Sequence, residues 1–228
     1  MAVQKKRQAV ETELKIKLSP ADLEKVFRVL RGKNSTSEIF HKYRPRDYYD
    51  TPDLELYQAG LSLRVQYKPG SAGKLGCYEQ TLKLEMVPDS PLGEAVMLRK
   101  ECKDDITTRE PLLSAVTDVQ GQAAAKPFKG KKLMHIFTAA IERRYFEMEI
   151  GSGRNSGMVE VAFDVGQLIL AQGNVSQNFF EIEVEVKRGS ADLIEAVKKE
   201  ILGIATSAKV QPLSKSAQGS RLYLQHKK

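Results

Sequence analysis

Hydrophobic and polar residues alternate strictly along several segments of the chain. Between residues 10 and 18 every odd position is charged, and every even position is apolar apart from one threonine. A period of two places successive side chains on opposite faces of a β-strand. Extended patterns of this kind, some of them short, recur at 47–51, 61–68, 81–86, 97–102, 136–150, 159–164, 168–170, 180–186 and 221–224.

Helical patterns are fewer. Ser19 and Pro20 form a helix start signal, and apolar residues then recur every three or four positions as far as Leu30. Two further helices are predicted, at 111–119 and after Ser190, whereas the segment 121–132 is predicted to be a loop. About eight strands and three helices predict a mostly β (α+β) protein with an antiparallel sheet.

One face of at least five strands is polar or charged, and two interpretations of these faces remain open. An open sheet or sandwich would expose them to solvent. A closed eight-stranded antiparallel β-barrel, with its helices packed outside, would instead turn them toward a lumen that is wide enough for one small ligand. Carboxylates are concentrated in two segments, which is costly unless a cation lies among them. These carboxylates are Glu11 and Glu13 in one segment and Glu181, Glu183 and Glu185 in another.

Basic residues lie on separate strands, as a ring around a chain of phosphate groups would require. They are Lys15, Arg64, Lys83, Arg99 and one residue of the pair Arg143 and Arg144. Oxygen ligands from carboxylates suit Mg²⁺ or Mn²⁺. An acidic cluster beside a basic ring indicates a site for metal and phosphate.

The composition limits the class of protein but does not identify the ligand. The 228 residues carry a formal charge of +7, which favours a polyanionic partner of any kind. Cys77 and Cys102 are too few for a disulfide framework, and no segment approaches the roughly 20 apolar residues of a membrane helix. We therefore expect one cytoplasmic domain over residues 1–228, flexible at 1–8. Tyr48 and Tyr49 near Arg46 resemble a base-stacking surface, but we expect aromatic core residues and no nucleic-acid partner.

Several short motifs, taken in order, resemble the CYTH or triphosphate tunnel metalloenzyme superfamily. The first is Glu11, Glu13 and Lys15 at alternate positions. The others are residues 48–54 (YYDTPDL), 60–64 (GLSLR), 81–83 (TLK), 99–101 (RKE), 159–164 (VEVAFD), 181–185 (EIEVE) and 214–215 (SK). The resemblance covers residues 10 to about 224, and within the superfamily it looks most like the bacterial inorganic triphosphatases.

This resemblance implies metal-dependent hydrolysis of tripolyphosphate to phosphate and pyrophosphate. It implies that Mg²⁺ or Mn²⁺ is held by Glu11, Glu13, Glu181 and Glu183, with Asp164 and Glu185 as further ligands. It also implies that phosphate is bound by Lys15, Arg64, Lys83, Arg99, Lys215 and either Arg143 or Arg144. Lys15, Arg64 and Lys83 are the candidate catalytic residues among them.

The chain departs from the family pattern at Gln66, where a second basic residue usually follows the one at Arg64. We also expect no helical CHAD domain within this chain. Alternatives on the same fold are a thiamine triphosphatase, a nucleoside triphosphatase and an adenylate cyclase. A third hypothesis, from a different functional class, is a module that binds polyphosphate without hydrolysing it. The sequence leaves open the preferred triphosphate, the metal and the oligomeric state.

Overall fold

The computed structural model describes residues 10–33, 38–70, 75–86, 96–151 and 156–227, so the prediction for residues 1–8 lies outside it. Ten strands are present in these ranges: β1 (Val10–Lys17), β2 (Phe40–Tyr43), β3 (Arg46–Asp50), β4 (Leu61–Lys68), β5 (Cys77–Met86), β6 (Val96–Ile106), β7 (Met134–Ile150), β8 (Gly157–Leu170), β9 (Ser176–Arg188) and β10 (Lys209–Val210). The α-helices are α1 (Pro20–Lys33), α2 (Glu55–Gln58), α3 (Val119–Ala125), α4 (Leu193–Ile204) and α5 (Lys215–His226).

Eight of the strands close into a ring, as predicted. The order around it is β1, β6, β5, β4, β3, β7, β8 and β9, and β9 pairs again with β1. Every pair is antiparallel. The short strands β2 and β10 lie outside the ring, paired with β7 and β1, and were not predicted. Because the ring closes, one face of each strand lines an enclosed lumen.

The apolar faces of the strands point outward, and the helices cover them. On β1, Leu14 and Ile16 are fully buried in a cluster that also contains Leu23 of α1 and Ile194 of α4. A second cluster packs the end of α5 onto β7 and β8, and a third lies beneath α2 and α3. The hydrophobic core is therefore a layer between the barrel and its helices, which leaves the lumen to polar side chains.

Two predictions around residue 120 are wrong. The segment 111–119 forms only a single 3-10 turn, Leu113–Ala115, and the segment predicted to be a loop contains α3 and a second such turn. The helix begins after Asp118, whose carboxylate accepts a hydrogen bond of 2.8 Å from the backbone N–H of Gly121. Val119, the first residue of α3, is 77% exposed. The capping carboxylate determines where this helix starts.

The segment 221–224 is helical and not a strand. It lies in α5, which starts at Ser214 with a hydrogen bond of 3.1 Å from the backbone N–H of Ala217 to the serine hydroxyl. Gly219 lets α5 approach the barrel closely, because a Cβ atom there would lie 2.2 Å from the Phe137 ring. The short apolar run at 221–224 is compatible with a strand or with a helix. Packing against β7 favours the helix.

The turn predicted between 164 and 168 is also absent, since β8 runs through it without a break. Gly166 is needed there for packing. A Cβ atom at this position would lie 2.2 Å from the carbonyl oxygen of Ala140 on the neighbouring strand and 2.7 Å from the Phe179 ring. Glycine in this strand marks a close approach of neighbouring groups.

Asp50 holds the turn that joins β3 to α2. Its buried carboxylate accepts hydrogen bonds from the backbone N–H groups of Thr51 (2.7 Å), Leu56 (2.9 Å) and Tyr57 (2.9 Å). Asp50→Ala leaves these three donors without their acceptor, so we expect the free energy of unfolding to fall by about 2 kcal/mol. Urea unfolding followed by circular dichroism measures this. Asp53→Ala, at an exposed position of the same turn, is the control, and an equal loss in both variants would contradict the assignment.

No helix among the described residues is long and apolar enough to cross a bilayer.

Candidate active site

The lumen contains a cavity of about 320 Å³. Seven of the eight ring strands, the segment before β3 and the start of α5 contribute to its wall. Nine basic and six acidic side chains line it, which makes it almost entirely polar. The basic ones are Lys15, Arg44, Arg46, Arg64, Lys83, Arg99, Lys103, Arg143 and Lys215, and the acidic ones are Glu11, Glu13, Glu79, Glu101, Glu183 and Glu185.

The acidic wall is formed by β1 and β9, which lie side by side. Their register sets Glu13 opposite Glu185, and Lys15 opposite Glu183. Lys15 donates to Glu13 at 3.1 Å and also contacts Glu183, while Arg99 from β6 contacts Glu13. Burial opposes the charge of Glu13, but Lys15 and Arg99 outweigh it and lower its pKa to about 2. Glu13 is therefore an anion at any physiological pH.

Nearby cations neutralise Glu11 and Glu185 less completely than they neutralise Glu13. Burial raises the pKa of Glu11, and the carboxylates of Glu101 and Glu13 add to the effect against the attraction of Lys83, which lies 3.1 Å away. Burial likewise raises the pKa of Glu185, although Lys187 contacts it at 2.8 Å. A further cation near these two carboxylates and Glu13 would stabilise their ionised forms.

A network of buried charges adjoins the cavity on the lumen side of β7, β8 and β9. Arg143 binds the two carboxylate oxygens of Asp164 through Nε and Nη2, each at 2.7 Å, and also contacts Glu183. Lys215 contacts Asp164 at 2.8 Å, Glu181 at 2.9 Å and Glu183 at 2.5 Å. Burial opposes the charges of Arg143 and Lys215, but these carboxylates raise the pKa of both cations. Asp164 and Glu181 do not line the cavity; they position the two cations that do.

Two and three strands away from β1 around the ring, β5 and β4 carry Lys83 and Arg64. Lys83 contacts Glu11 and Glu101, and Arg64 lies 3.5 Å from Glu101 and is hydrogen-bonded to Tyr48. Burial opposes the charge of Glu101, yet Lys83, Arg64 and Lys103 hold its pKa well below its usual value. Glu101 thus orients two of the predicted phosphate-binding residues.

Of the adjacent arginines on β7, only Arg143 faces the lumen. Arg144 points outward, where it contacts Glu24 of α1 and lies 4.1 Å from the centroid of the Phe27 ring. Adjacent residues of a strand must face opposite sides. Both arginines have an aromatic residue two positions further on, so the sequence pattern did not distinguish them.

Sequence reasoning overlooked Arg46 and Tyr48 as lumen residues. They alternate on β3 and face the cavity together, while Asp47 between them points away and contacts Arg109 and Thr138. Tyr48 is buried and stacks on Phe137 with a centroid separation of 4.5 Å. Residues 46–50 (RDYYD) do not alternate between polar and apolar side chains, so the sequence pattern did not show which of them face the lumen.

Among the described residues, no group of three or more acidic, histidine or cysteine side chains is already arranged to hold a metal ion. The ion pairs explain this, because lysine and arginine side chains separate the carboxylates. The donor chemistry nevertheless fits a hard divalent cation, since Glu11, Glu13 and Glu185 offer only carboxylate oxygens from neighbouring strands.

Comparison with solved structures identifies the same fold in other proteins. A protein from Hippeastrum, HpAC1, described as a candidate adenylyl cyclase with a dominant triphosphatase activity, is 14% identical over 96% of this chain and 97% of its own, with a TM-score of 0.57. A candidate adenylate cyclase from Bacillus halodurans is 18% identical over 91% of this chain and 96% of its own, with a TM-score of 0.51. At these identities, the likeness shows the fold alone.

A third structure, the PH1819 protein from Pyrococcus horikoshii OT3, is 16% identical over 93% of this chain and 99% of its own, with a TM-score of 0.52. A search of curated proteins gives no significant match. The profile of the CYTH domain matches residues 9–220, which include every strand of the ring and all the residues that line the cavity. The chain belongs to the CYTH domain family.

Proposed function

We propose that the protein is a metal-dependent triphosphatase that hydrolyses inorganic tripolyphosphate to phosphate and pyrophosphate inside the barrel. The observation that carries this proposal is the lumen itself, a cavity of about 320 Å³ with nine basic and six acidic side chains. A small, linear and highly charged anion suits such a cavity, because it can contact cations from several strands at once. Within the family, we propose that the chain is most like the bacterial inorganic triphosphatases.

The basic side chains would bind and neutralise the phosphate chain. Lys15, Arg64 and Lys83 lie on three different strands and face the cavity, and we assign them to the oxygens of the group that is transferred. Phosphoryl transfer depends mainly on positioning and on neutralising charge on these oxygens. Arg99, Arg143 and Lys215 would hold the rest of the chain, whereas Arg144, on the outer face, would take no part.

Glu11, Glu13 and Glu185 would hold Mg²⁺ or Mn²⁺, and Glu183 would position Lys15, Arg143 and Lys215. A bound divalent cation supplies Lewis-acid polarisation of phosphate oxygens and a lower pKa for bound water. Lys15 now neutralises Glu13, and Lys83 neutralises Glu11. When phosphate enters, the lysines can exchange carboxylate for phosphate oxygens, and the carboxylates then become available to the cation. Asp164 and Glu181, expected from the sequence as ligands, would act only through Arg143 and Lys215.

The reaction adds water across one phosphoanhydride bond. The water oxygen forms a bond to the terminal phosphorus, the bond between that phosphorus and the bridging oxygen breaks, and pyrophosphate leaves with the bridging oxygen. Cations around the bridging oxygen stabilise the charge that develops on it. A cytoplasmic site of action is part of the proposal, since Cys77 and Cys102 are both free thiols.

A substrate panel tests the proposal. Phosphate release is measured for tripolyphosphate, ATP and thiamine triphosphate, each with Mg²⁺, with Mn²⁺ and with EDTA. We expect turnover of tripolyphosphate to exceed the other two and to stop with EDTA. Faster turnover of ATP or thiamine triphosphate would redirect the assignment to those substrates. Binding of tripolyphosphate without release of phosphate would favour a module that binds polyphosphate and would contradict the enzyme.

A further inference from the structure

Arg46 differs from three other arginines that face the lumen, Arg64, Arg99 and Arg143. Arg99 and Arg143 each form an ion pair with a carboxylate, and Arg64 lies 3.5 Å from Glu101. Among the residues that the structure describes, Arg46 has no carboxylate within ion-pair distance, and its buried Nε has no hydrogen-bond partner. Burying a charged donor without an acceptor is costly. An anion in the cavity would supply the acceptor.

The charges nearest to Arg46 strengthen this expectation. Burial lowers the pKa of Arg46 to about 10, and the guanidinium groups of Arg64 and Arg143 contribute to the decrease. Arg46 is still fully charged at neutral pH. Arg64 also has a buried Nε without a partner. Arg46 is thus close to two other cations, and the buried Nε donors of Arg46 and Arg64 have no acceptor. This part of the cavity therefore favours an anion with several oxygen atoms.

The strand register relates Arg46 to the departure noted at Gln66. Asp47 pairs with Val65, and Tyr48 pairs with Arg64. One further step along these antiparallel strands sets Arg46 opposite Gln66, and both side chains line the cavity. Gln66 donates to Glu79 at 2.9 Å, and its buried Oε1 has no partner. The positive charge expected at position 66 is thus present on the neighbouring strand.

The ring order also places Arg46 far from the acidic wall. β3 is the fourth strand from β1 in either direction around the eight-stranded ring. A phosphate chain that reaches the carboxylates of β1 at one end therefore approaches β3 at the other. We propose that Arg46 binds the phosphate group of the substrate that lies farthest from the acidic wall, in place of a basic residue at position 66. This inference rests on the proposed function of the lumen.

The test moves the charge from one strand to the other. In Arg46→Gln we expect the KM for tripolyphosphate to rise roughly ten- to hundredfold, the effect of losing a charge-assisted hydrogen bond. We expect kcat to change less, because the transferred group contacts other residues. Adding Gln66→Arg to Arg46→Gln should restore most of the lost affinity, since the new guanidinium lies across the same strand pair. Arg28→Gln, exposed on α1, is the control with the same change in charge.

The outcomes separate this inference from the proposed function. If the wild-type protein neither binds nor hydrolyses tripolyphosphate, the proposed function is wrong and this inference falls with it. If the wild-type protein is active and Arg46→Gln keeps its KM, or if the double variant stays as weak as the single one, only the role of Arg46 is wrong. Should Arg46→Gln prove unfolded by circular dichroism, Arg46→Lys supplies the measurement. It keeps the charge but loses the planar fork, so its KM should rise by a smaller factor, and an unchanged KM would contradict the role.

Discussion

Replacing Glu13 with glutamine is expected to lower metal-dependent hydrolysis of tripolyphosphate by at least about a hundredfold, the scale of losing one electrostatic contact at a reacting centre. Glu13 is buried between Lys15 and Arg99, and these cations keep it ionised. Glutamine has nearly the same shape but no charge, so the variant loses the proposed metal ligand and deprives Arg99 of its carboxylate partner, while Lys15 keeps Glu183. Initial rates of phosphate release over a range of Mg²⁺ and Mn²⁺ concentrations measure the effect.

The concentration of metal needed for half-maximal rate separates the two roles of Glu13. A metal ligand should shift this concentration upward, whereas a residue that only positions Lys15 should lower the rate at unchanged metal dependence. Glu149→Gln is the control, since Glu149 is exposed and contacts only Arg188 among the ion pairs of the described residues. Activity of Glu13→Gln equal to that of this control would contradict the proposed metal site.

Replacing Lys215 with methionine is expected to lower the free energy of unfolding by about 3–5 kcal/mol, the usual cost of removing one partner from a buried ion pair. The ammonium group contacts Asp164, Glu181 and Glu183, and Lys215, Asp164 and Glu181 are almost entirely buried. Methionine fills a similar volume but removes the only ion-pair partner that Glu181 has among the described residues, and it leaves Asp164 and Glu183 to Arg143 and Lys15. Because the chain contains no tryptophan, urea unfolding is best followed by circular dichroism.

The pH dependence of this loss provides a second measurement. Arg143, Lys15 and Lys215 depress the pKa of Glu183 in the folded protein against the effect of burial, and Arg143 and Lys215 do the same for Asp164. Such carboxylates stabilise the fold above their unfolded pKa values of 4.5 and 3.8, and this contribution is lost as the pH falls through the lower folded values. The variant can relieve its uncompensated charge by protonation, so its difference from wild type should shrink below about pH 4.

Lys227→Met is the control for Lys215→Met, since Lys227 binds Asp53 at the surface and should change stability little. A Lys215→Met variant as stable as this control at pH 7 would show that the buried network does not need its lysine. A difference that stays constant between pH 7 and pH 3 would show that packing, and not charge, caused the loss.

Side-chain direction within the strands could be predicted from the sequence, because it follows from a local period of two residues. Glu11, Glu13 and Lys15 had to share one face of β1, and Leu14 and Ile16 the other. Glu183 and Glu185 had to share one face of β9 for the same reason. The structure shows these polar faces turned to the lumen and the apolar faces covered by helices. Most lumen residues were therefore predictable, although the period of two did not by itself distinguish a closed barrel from an open sheet.

The contacts between strands were not predictable in this way, since they depend on ring order, register and the phase of each strand. Only the tertiary structure kept Asp164 and Glu181 out of the cavity, turned Arg144 outward and brought Arg46 opposite Gln66. It also made 221–224 helical, because α5 gains its stability by packing Leu222 and Tyr223 against β7 and β8. The sequence by itself determined which residues could face a lumen, through local geometry. Long-range pairing and packing decided which of them meet there.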